Sequence, residues 1–404
     1  MSQIILNKGA VPAPPGTNKV ALIVDQADGK LKALDWNGVL GAVLLDGWRD
    51  KPVMYNGGFE FWQRQLAATA TTYSSIGGRV YCADRWCVSN ENASVTAARV
   101  DTETSKEAGL GTRYYGQFAK TANAGKLMVA QVLGASSIMT FRGGLARLQF
   151  LLKGSTAATL RVGLVQNAAA GTVDAVQNGA AAFVTAWGAN SVDPTMGTNL
   201  PRLTPVAGSA DGGTISGDGM SCSITTSWQR FSCCFNPPND CHNLVVVIWS
   251  DSQFAVGQTF SMSEVGLYDG PEIRTNFVQY SSSLEILRCQ KYYQKTFALS
   301  AAPAQNAGVI GALRTQVAIA GAVATSSAFR WQFGVPLRGT PITTTFYNPS
   351  AANAFMRNVP AATDATATAA ANASEFGMDV NCTGLAAWTV GQELKVHCAV
   401  DAEL

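Results

Sequence analysis

The stretch LARLQFLLKG, Leu145 to Gly154, alternates. Ala146, Leu148, Phe150 and Leu152 fall on one side of an extended chain, and Arg147, Gln149 and Lys153 on the other. A period of two marks a strand with one face in a core. Just beyond it, TLRVGLVQ (Thr159–Gln166) repeats the device through Leu160, Val162 and Leu164. NLVVVIWS (Asn243–Ser250) is instead an unbroken apolar run, as expected of a strand buried on both faces. In QTFSMSEVGLY (Gln258–Tyr268) the apolar phase slips between Met262 and Val265, which predicts a β-bulge. From about Lys51 to Phe277 strand follows strand with no long helical period, so the expected architecture is a β-sandwich or jelly roll. Thr185 to Ser221, rich in Gly, Pro, Ser, Thr and Asp, reads as a long loop or a set of short excursions.

On the N-terminal side, VPAPPG (Val11–Gly16) is an extended opener. KVALIVDQADGKLKALDWNGVL then alternates around Asp28-Gly29 and Asn37-Gly38, both suited to type I′ hairpin turns. Such a small meander has little core and needs a neighbour. On the C-terminal side, SSSLEILRCQKYYQKTF (Ser281–Phe297) predicts one short helix. Ser282 and Glu285 have the spacing of a capping box, and Ile286, Cys289 and Tyr293 share a face. Beyond it, QVAIAGAVAT, FRWQFGVPLRGTPITTTFYNP and ELKVHCAVDAEL read as strands. In the last, Leu394, Val396, Cys398 and Val400 point inward, and Lys395 and His397 point to solvent. AATDATATAAANASE (Ala361–Glu375) reads as an exposed low-complexity loop. The expected fold is all-β: an N-terminal meander (1–50), a central jelly-roll sandwich (51–278), and a short linking helix leading into a C-terminal β-sandwich (279–404).

The 404 residues carry 29 basic and 27 acidic side chains, a net charge of +2, with no basic run. A nucleic-acid backbone would find no electrostatic footprint here. No stretch approaches a membrane span or a signal peptide. The expected site of synthesis is therefore a cytoplasm. Nine cysteines, an odd number, argue against a disulfide framework and for small buried apolar groups. Cys233, Cys234, Cys241 and His242 cluster, but lack the paired knuckles of a structural zinc site. No cofactor is expected. A calcium ion held by loop oxygens would suit a jelly roll, with no ligands that the sequence names.

The stretches NGGFEFWQR (Asn56–Arg64), ADRW (Ala83–Trp86), VGLYDGPEIRTNF (Val265–Phe277) and EILRCQKYYQKTF (Glu285–Phe297) together resemble a family of bacteriophage virion proteins. Its members are fibre and appendage subunits, with a jelly-roll module similar to bacterial carbohydrate-binding modules. The N-terminal KVALIVDQADGKLKALDWNG is similar to short virion-anchoring segments of such fibres. Gln65 stands where the resemblance expects a glycine. The resemblance implies a virion location, an N-terminal segment that contacts other virion proteins, a homotrimer, and a host-surface glycan as a possible partner.

In a jelly roll, FEFWQR and YCADRW would each form a strand, with Asp84 and Arg85 near the middle of the second. Two uses are then open for Trp62, Arg64, Asp84, Arg85 and Trp86. One is a structural clasp, with Asp pairing with Arg and Trp stacking on the guanidinium. The other is a sugar platform of aromatic faces and polar groups. The clasp is the favoured reading, because ligand sites more often use loop residues. Recognition then falls to loops such as Asn190 to Asp218, or to the last domain.

Enzyme chemistry finds little support. A Ser-His-Asp or Cys-His arrangement needs a histidine, and the chain has only His242 and His397. There is no GxSxG elbow, no HExxH and no phosphate-binding loop. The expectation is a non-enzymatic virion fibre or tail-appendage subunit. A ligand-free head fibre, collar or decoration protein is the alternative, and a glycan-cleaving tailspike the more remote one.

Overall fold

The computed structural model describes residues 8–9, 21–25, 31–34, 40–42 and 51–404, apart from 66–69, 74–77, 93, 106, 108, 168–182, 319–326, 340–341, 385–386 and 404. The chain divides into two compact units, Met1–Lys51 and Pro52–Leu404. In the first, strands β1 (Lys8–Gly9), β2 (Ala21–Asp25), β3 (Leu31–Leu34) and β4 (Leu40–Ala42) form one sheet in sequential order. β2, β3 and β4 run antiparallel, with Val24 opposite Leu31 and Leu34 opposite Leu40. The extended opener and the two turn dipeptides lie outside the described residues.

The second unit starts as a jelly-roll sandwich whose chain steps back and forth between two antiparallel sheets. β5 (Thr71–Tyr73) lies in the second sheet, and β6 (Val80–Tyr81) and β7 (Trp86–Asn90) in the first. β8 (Val95–Asp101) and β9 (Tyr114–Lys120) return to the second sheet. β10 (Leu127–Leu133), β11 (Ala146–Gly154) and β12 (Ala158–Asn167) then alternate first, second, first. An excursion follows, holding β13 (Val184–Ala186), β14 (Thr195–Met196), β15 (Arg202–Leu203) and β16 (Thr214–Ser216). β17 (Gly219–Ile224), β18 (Gln229–Phe235), β19 (Asn243–Ser250) and β20 (Thr259–Asp269) resume the alternation.

The apolar periodicity explains why these strands close on each other. Ala146, Leu148, Phe150 and Leu152 are fully buried, and so are Leu160, Val162 and Leu164. Each removes apolar surface worth about 25 cal/mol per Å² from water. β19 is buried along its whole length because β10 and β12 flank it and both its faces are covered. The expected bulge is present: between the pairs Gln149–Gly266 and Leu151–Ser263, Glu264 and Val265 face the single residue Phe150. Glu264 takes a left-handed conformation there, with φ of 52°. Arg147 and Gln149 point away from the core, yet both are buried. The segment after β20 covers them, for Arg147 donates to the Pro271 carbonyl and Gln149 to that of Arg274.

Two single-turn helices, α1 (Thr102–Ser105) and α2 (Ala135–Ile138), lie in connections of the jelly roll, and the longer helix α3 (Ser282–Gln290) leads to β21 (Tyr293–Lys295) and to a smaller C-terminal sandwich. Its strands are β22 (Leu313–Gln316), β23 (Ser327–Gln332), β24 (Thr343–Tyr347), β25 (Arg357–Asn358), β26 (Thr363–Asp364), β27 (Ala367–Ser374), β28 (Gly377–Thr383) and β29 (Glu393–Asp401). β29 pairs with β21, β22, β24 and β25, while β23, β28 and β27 form a three-stranded sheet. Leu394, Val396, Cys398 and Val400 pack against Met378, Val380 and Cys382 in a core separate from that of the jelly roll.

Three local expectations are corrected. The capping box does not form: Ser281 is the N-cap without a side-chain bond, and Glu285 instead accepts the Asn56 backbone N–H at 2.5 Å. Much of the Ala-Thr stretch 361–375 is strand rather than loop. β27 pairs with β28, and its small, similar side chains give no apolar contrast from which alternation could be read. His397 is buried, not on the surface. Phe297 stacks on its ring at 4.0 Å, so the outer face of β29 is covered as well.

Candidate functional site

The aromatic and Asp-Arg stretches come together, but not on the two expected strands: of the five candidates only Trp86 lies on a strand, at the start of β7. Residues 59–65 form a loop, because Gly57 packs against the bulge of β20 and turns the chain. A Cβ on Gly57 would lie 2.1 Å from the Val265 carbonyl oxygen, a space only glycine can occupy. Asn56 ties the loop together: its side chain donates to the carbonyls of Phe61 and Asp84 and accepts from the Phe61 N–H. Ala83-Asp84-Arg85 is the turn between β6 and β7, closed by Cys82 N–H to Trp86 O at 2.8 Å, with Arg85 at φ of 70°, and Trp86 is the first residue of β7.

Each of the five candidate residues is well covered. Arg85 and Trp86 are 0% exposed, Asp84 1% and Trp62 3%; the Arg64 side chain is 12% exposed. The pairings differ from the simplest expectation. Asp84 is met by Gln63, through its backbone and side-chain N–H groups at 3.1 and 2.7 Å, and by Arg64 at 3.9 Å. Trp86 stacks on Phe59 with centroids 5.1 Å apart. Arg85 lies 3.4 Å above the Tyr292 ring, donates to the Val132 carbonyl and pairs with Glu403. Arg64 lies 4.0 Å over Tyr293 and bridges Asp401 at 2.9 Å and Glu403 at 3.1 Å.

The cluster therefore joins the jelly roll to α3, β21 and the end of β29. Tyr55, Asn56, Glu285, Tyr292, Asp401 and Glu403 belong to it. Sequence reasoning missed them as partners, since they are up to 339 positions away from the arginines they serve. Burial pushes the Asp84 carboxyl above the usual carboxylate range, with Arg64 and the Gln63 bonds offsetting part of the effect. Burial likewise brings the Lys295 ammonium down to about 8. It donates to the carbonyls of Gln63, Leu299 and Ala301. In this arrangement the aromatic faces are spent on protein contacts.

Cys233 and Cys234 are neighbours on β18, so their side chains project to opposite faces. No group of three or more potential metal ligands occurs among the described residues. All nine cysteines are buried and unpaired. His397 is fully engaged: Nδ1 lies 3.0 Å from the Thr296 hydroxyl and Nε2 3.0 Å from the Gly308 carbonyl. The carbonyl can only accept, so the ring carries its proton on Nε2.

An open site is found on the excursion between β12 and β17. A groove of about 390 Å³ is lined by residues of the segment Asp193–Arg202. Thr195 and Asn199 are exposed there, while Pro194, Gly197 and Leu200 are buried. The segment is braced against the first sheet by charge. Arg161 on β12 reaches Asp193 at 2.8 Å and Asp251 at 3.8 Å. Arg202 donates to the Pro194 carbonyl and sits 3.5 Å from Asp193 and 3.9 Å from Asp218. Below both guanidinium groups lies the Trp249 indole, about 6 Å from each. Gly163 and Gly219 leave room for that indole. Lys126 fastens the other side by donating to the carbonyls of Trp187, Ala189 and Val192. The groove is thus pre-formed, with a carboxylate, a hydroxyl, an amide and a guanidinium along one short segment. The sequence points to the loop Asn190 to Asp218, which contains this segment, as one of two places for recognition, but the segment carries no aromatic or motif that locates the groove within it.

No family model matches the chain, and no curated protein matches it. Solved structures show slight likenesses. The carbohydrate-binding module TmCBM61 in complex with β-1,4-galactotriose is 11% identical, with a TM-score of 0.29, over 55% of this chain and 99% of that one. A putative sugar-binding protein from Bacteroides thetaiotaomicron is 11% identical, with a TM-score of 0.33, over 55% and 100%. The enzymatically active domain of bacteriophage CBA120 tailspike protein 4 is 9% identical, with a TM-score of 0.27, over 54% and 21%. At these scores the likeness is too slight to assign a ligand or a role. The chemistry of the site rests on its own geometry within an all-β, sandwich-forming chain.

Proposed function

We propose that this chain is a non-catalytic subunit of a bacteriophage appendage that attaches the particle to its host by binding a surface glycan. The observation that carries the reading is the groove of about 390 Å³ on the Asp193–Arg202 segment. Its volume is in the range of small-ligand pockets, roughly 300–1,000 Å³. Its polar groups are of the kinds that exchange hydrogen bonds with sugar hydroxyls. Pre-organisation lowers the entropic cost of binding. The resemblance of the Asn56–Arg64, Ala83–Trp86, Val265–Phe277 and Glu285–Phe297 stretches to virion appendage proteins supports a location on a particle, with the N-terminal unit docking to other virion proteins. A homotrimer would raise weak single-site affinity through avidity. Large exposed apolar side chains in the C-terminal sandwich, Ile310, Phe376 and Val390, support association of copies.

The test is binding of the intact protein to a glycan array and to host cells. It is repeated with the double variant Thr195→Ala and Asn199→Gly, whose side chains are exposed; glycine is used because Asn199 has a left-handed backbone with φ of 62°. The expected result is glycan and cell binding by the parent, a tenfold or greater loss in the variant, and an unchanged melting temperature. Binding that is equally strong in the variant would remove the groove from the reading. Antibody labelling of virions in the absence of any glycan binding would favour the purely architectural alternative.

A further inference from the structure

The charges around the groove define the class of glycan further, in an inference that rests on the proposed glycan-binding role. Asp193 and Arg202 line the groove itself, one anion and one cation. Behind them, Arg161 is matched by Asp193 and Asp251, and Arg202 is matched by Asp193 and Asp218. Lys126, the other cation braced against this segment, gives its donors to three backbone carbonyls, and Asp251 lies near enough to act on its ammonium. Glu91 acts on Lys126 as well, so the cluster holds three basic groups and four carboxylates. Both guanidinium groups already face two carboxylates each. An acidic sugar would bring an unmatched anion beside Asp193, where like charge repels and partial burial weakens screening. An uncharged ring brings only hydroxyls, which Thr195, Asn199, Asp193 and Arg202 can serve as donors or acceptors.

We infer that the groove selects uncharged saccharides and rejects uronic- and sialic-acid-bearing ones. The test is binding of the full chain to neutral hexose oligosaccharides and to their uronic- and sialic-acid counterparts, from low salt to 0.5 M NaCl. The variants are Thr195→Ala/Asn199→Gly and Asp218→Asn. The expected result is binding to neutral sugars that salt leaves unchanged and that the double variant loses. Asp218→Asn, which frees Arg202 from one carboxylate, should then gain acidic-sugar binding severalfold. A preference of the parent for acidic sugars, weakened by salt, would overturn the inference and leave the glycan-binding role standing. Neutral-sugar binding unaffected by the double variant would overturn it by placing the site elsewhere. Binding to no sugar at all would overturn the glycan-binding role, and the inference with it.

Discussion

Arg85 shows how a single residue can be strongly constrained without touching a ligand. Its guanidinium is fully buried between Tyr292, the Val132 carbonyl and Glu403. Removing one member of a buried ion pair typically costs about 3–5 kcal/mol when the other is left uncompensated; Glu403 keeps Arg64 at 3.1 Å, which puts the cost here at the low end. Arg85→Met is therefore expected to lower the urea-unfolding free energy by about that amount. Pairing it with Glu403→Gln should recover part of the loss. A change below about 1 kcal/mol in the single variant would mean that the pair is immaterial. His397 makes a second residue-scale test. Burial holds its pKa below the ordinary 6.5, partly offset by the bond to the Gly308 carbonyl. As pH falls through 6.5 the unfolded chain takes up the proton first. Stability from His397 is thus present above that pH and is lost as pH falls through the lowered folded value. NMR titration should show the His397 ring titrating below 6.5, with a loss of stability on acidification that His397→Gln reduces. Titration at or above 6.5 would contradict its burial.

At the scale of elements, alternation was the legible signal. It located β11, β12 and β19, and the slipped phase located the bulge in β20, because apolar contrast along a strand is written directly in residue order. Conformations that rest on distant contacts were not legible. The loop at Phe59 and the turn at Arg85 both use left-handed backbone at residues that carry side chains. Asn56 is local, but Val265 and the Tyr292–Glu403 group, which complete the hold, are far away in sequence. β27 escaped notice because alanine and threonine look alike to a hydropathy pattern. Gly57→Ala tests the local geometry. Its Cβ would strike the Val265 carbonyl, so the variant is expected to unfold at a melting temperature lower by 10 °C or more, or not to accumulate. A melting temperature within 2 °C of the parent would contradict that packing. By contrast, Ala370→Lys on the exposed face of β27 should change stability by no more than about 0.5 kcal/mol in the same melts, as surface substitutions do.

Across the second unit, the two sandwiches are joined by buried charge as well as by apolar contact. Arg64 and Arg85 from the jelly roll find Asp401 and Glu403 at the end of β29, and Glu285 of α3 accepts the Asn56 N–H. A fragment ending at Phe277 would leave both arginines without these partners. Residues 52–277 alone are therefore expected not to fold cooperatively in circular-dichroism melts, whereas the full chain folds. A sharp transition in the fragment would show that the C-terminal sandwich is dispensable to the jelly roll. This coupling also explains why the candidate site was harder to read than the fold. The residues with the most suggestive chemistry serve the joint between sandwiches. The open groove is made from an unremarkable loop segment whose shape depends on Arg161, Lys126 and Trp249 beneath it. The most direct test of that division is an NMR titration of the isotope-labelled protein with neutral hexose oligosaccharides. The expected result is shift changes confined to Asp193–Arg202 and its neighbours, with the signals of Trp62, Arg85 and Trp86 unmoved. Shifts centred on Trp62 and Trp86, or on the C-terminal sandwich, would contradict it.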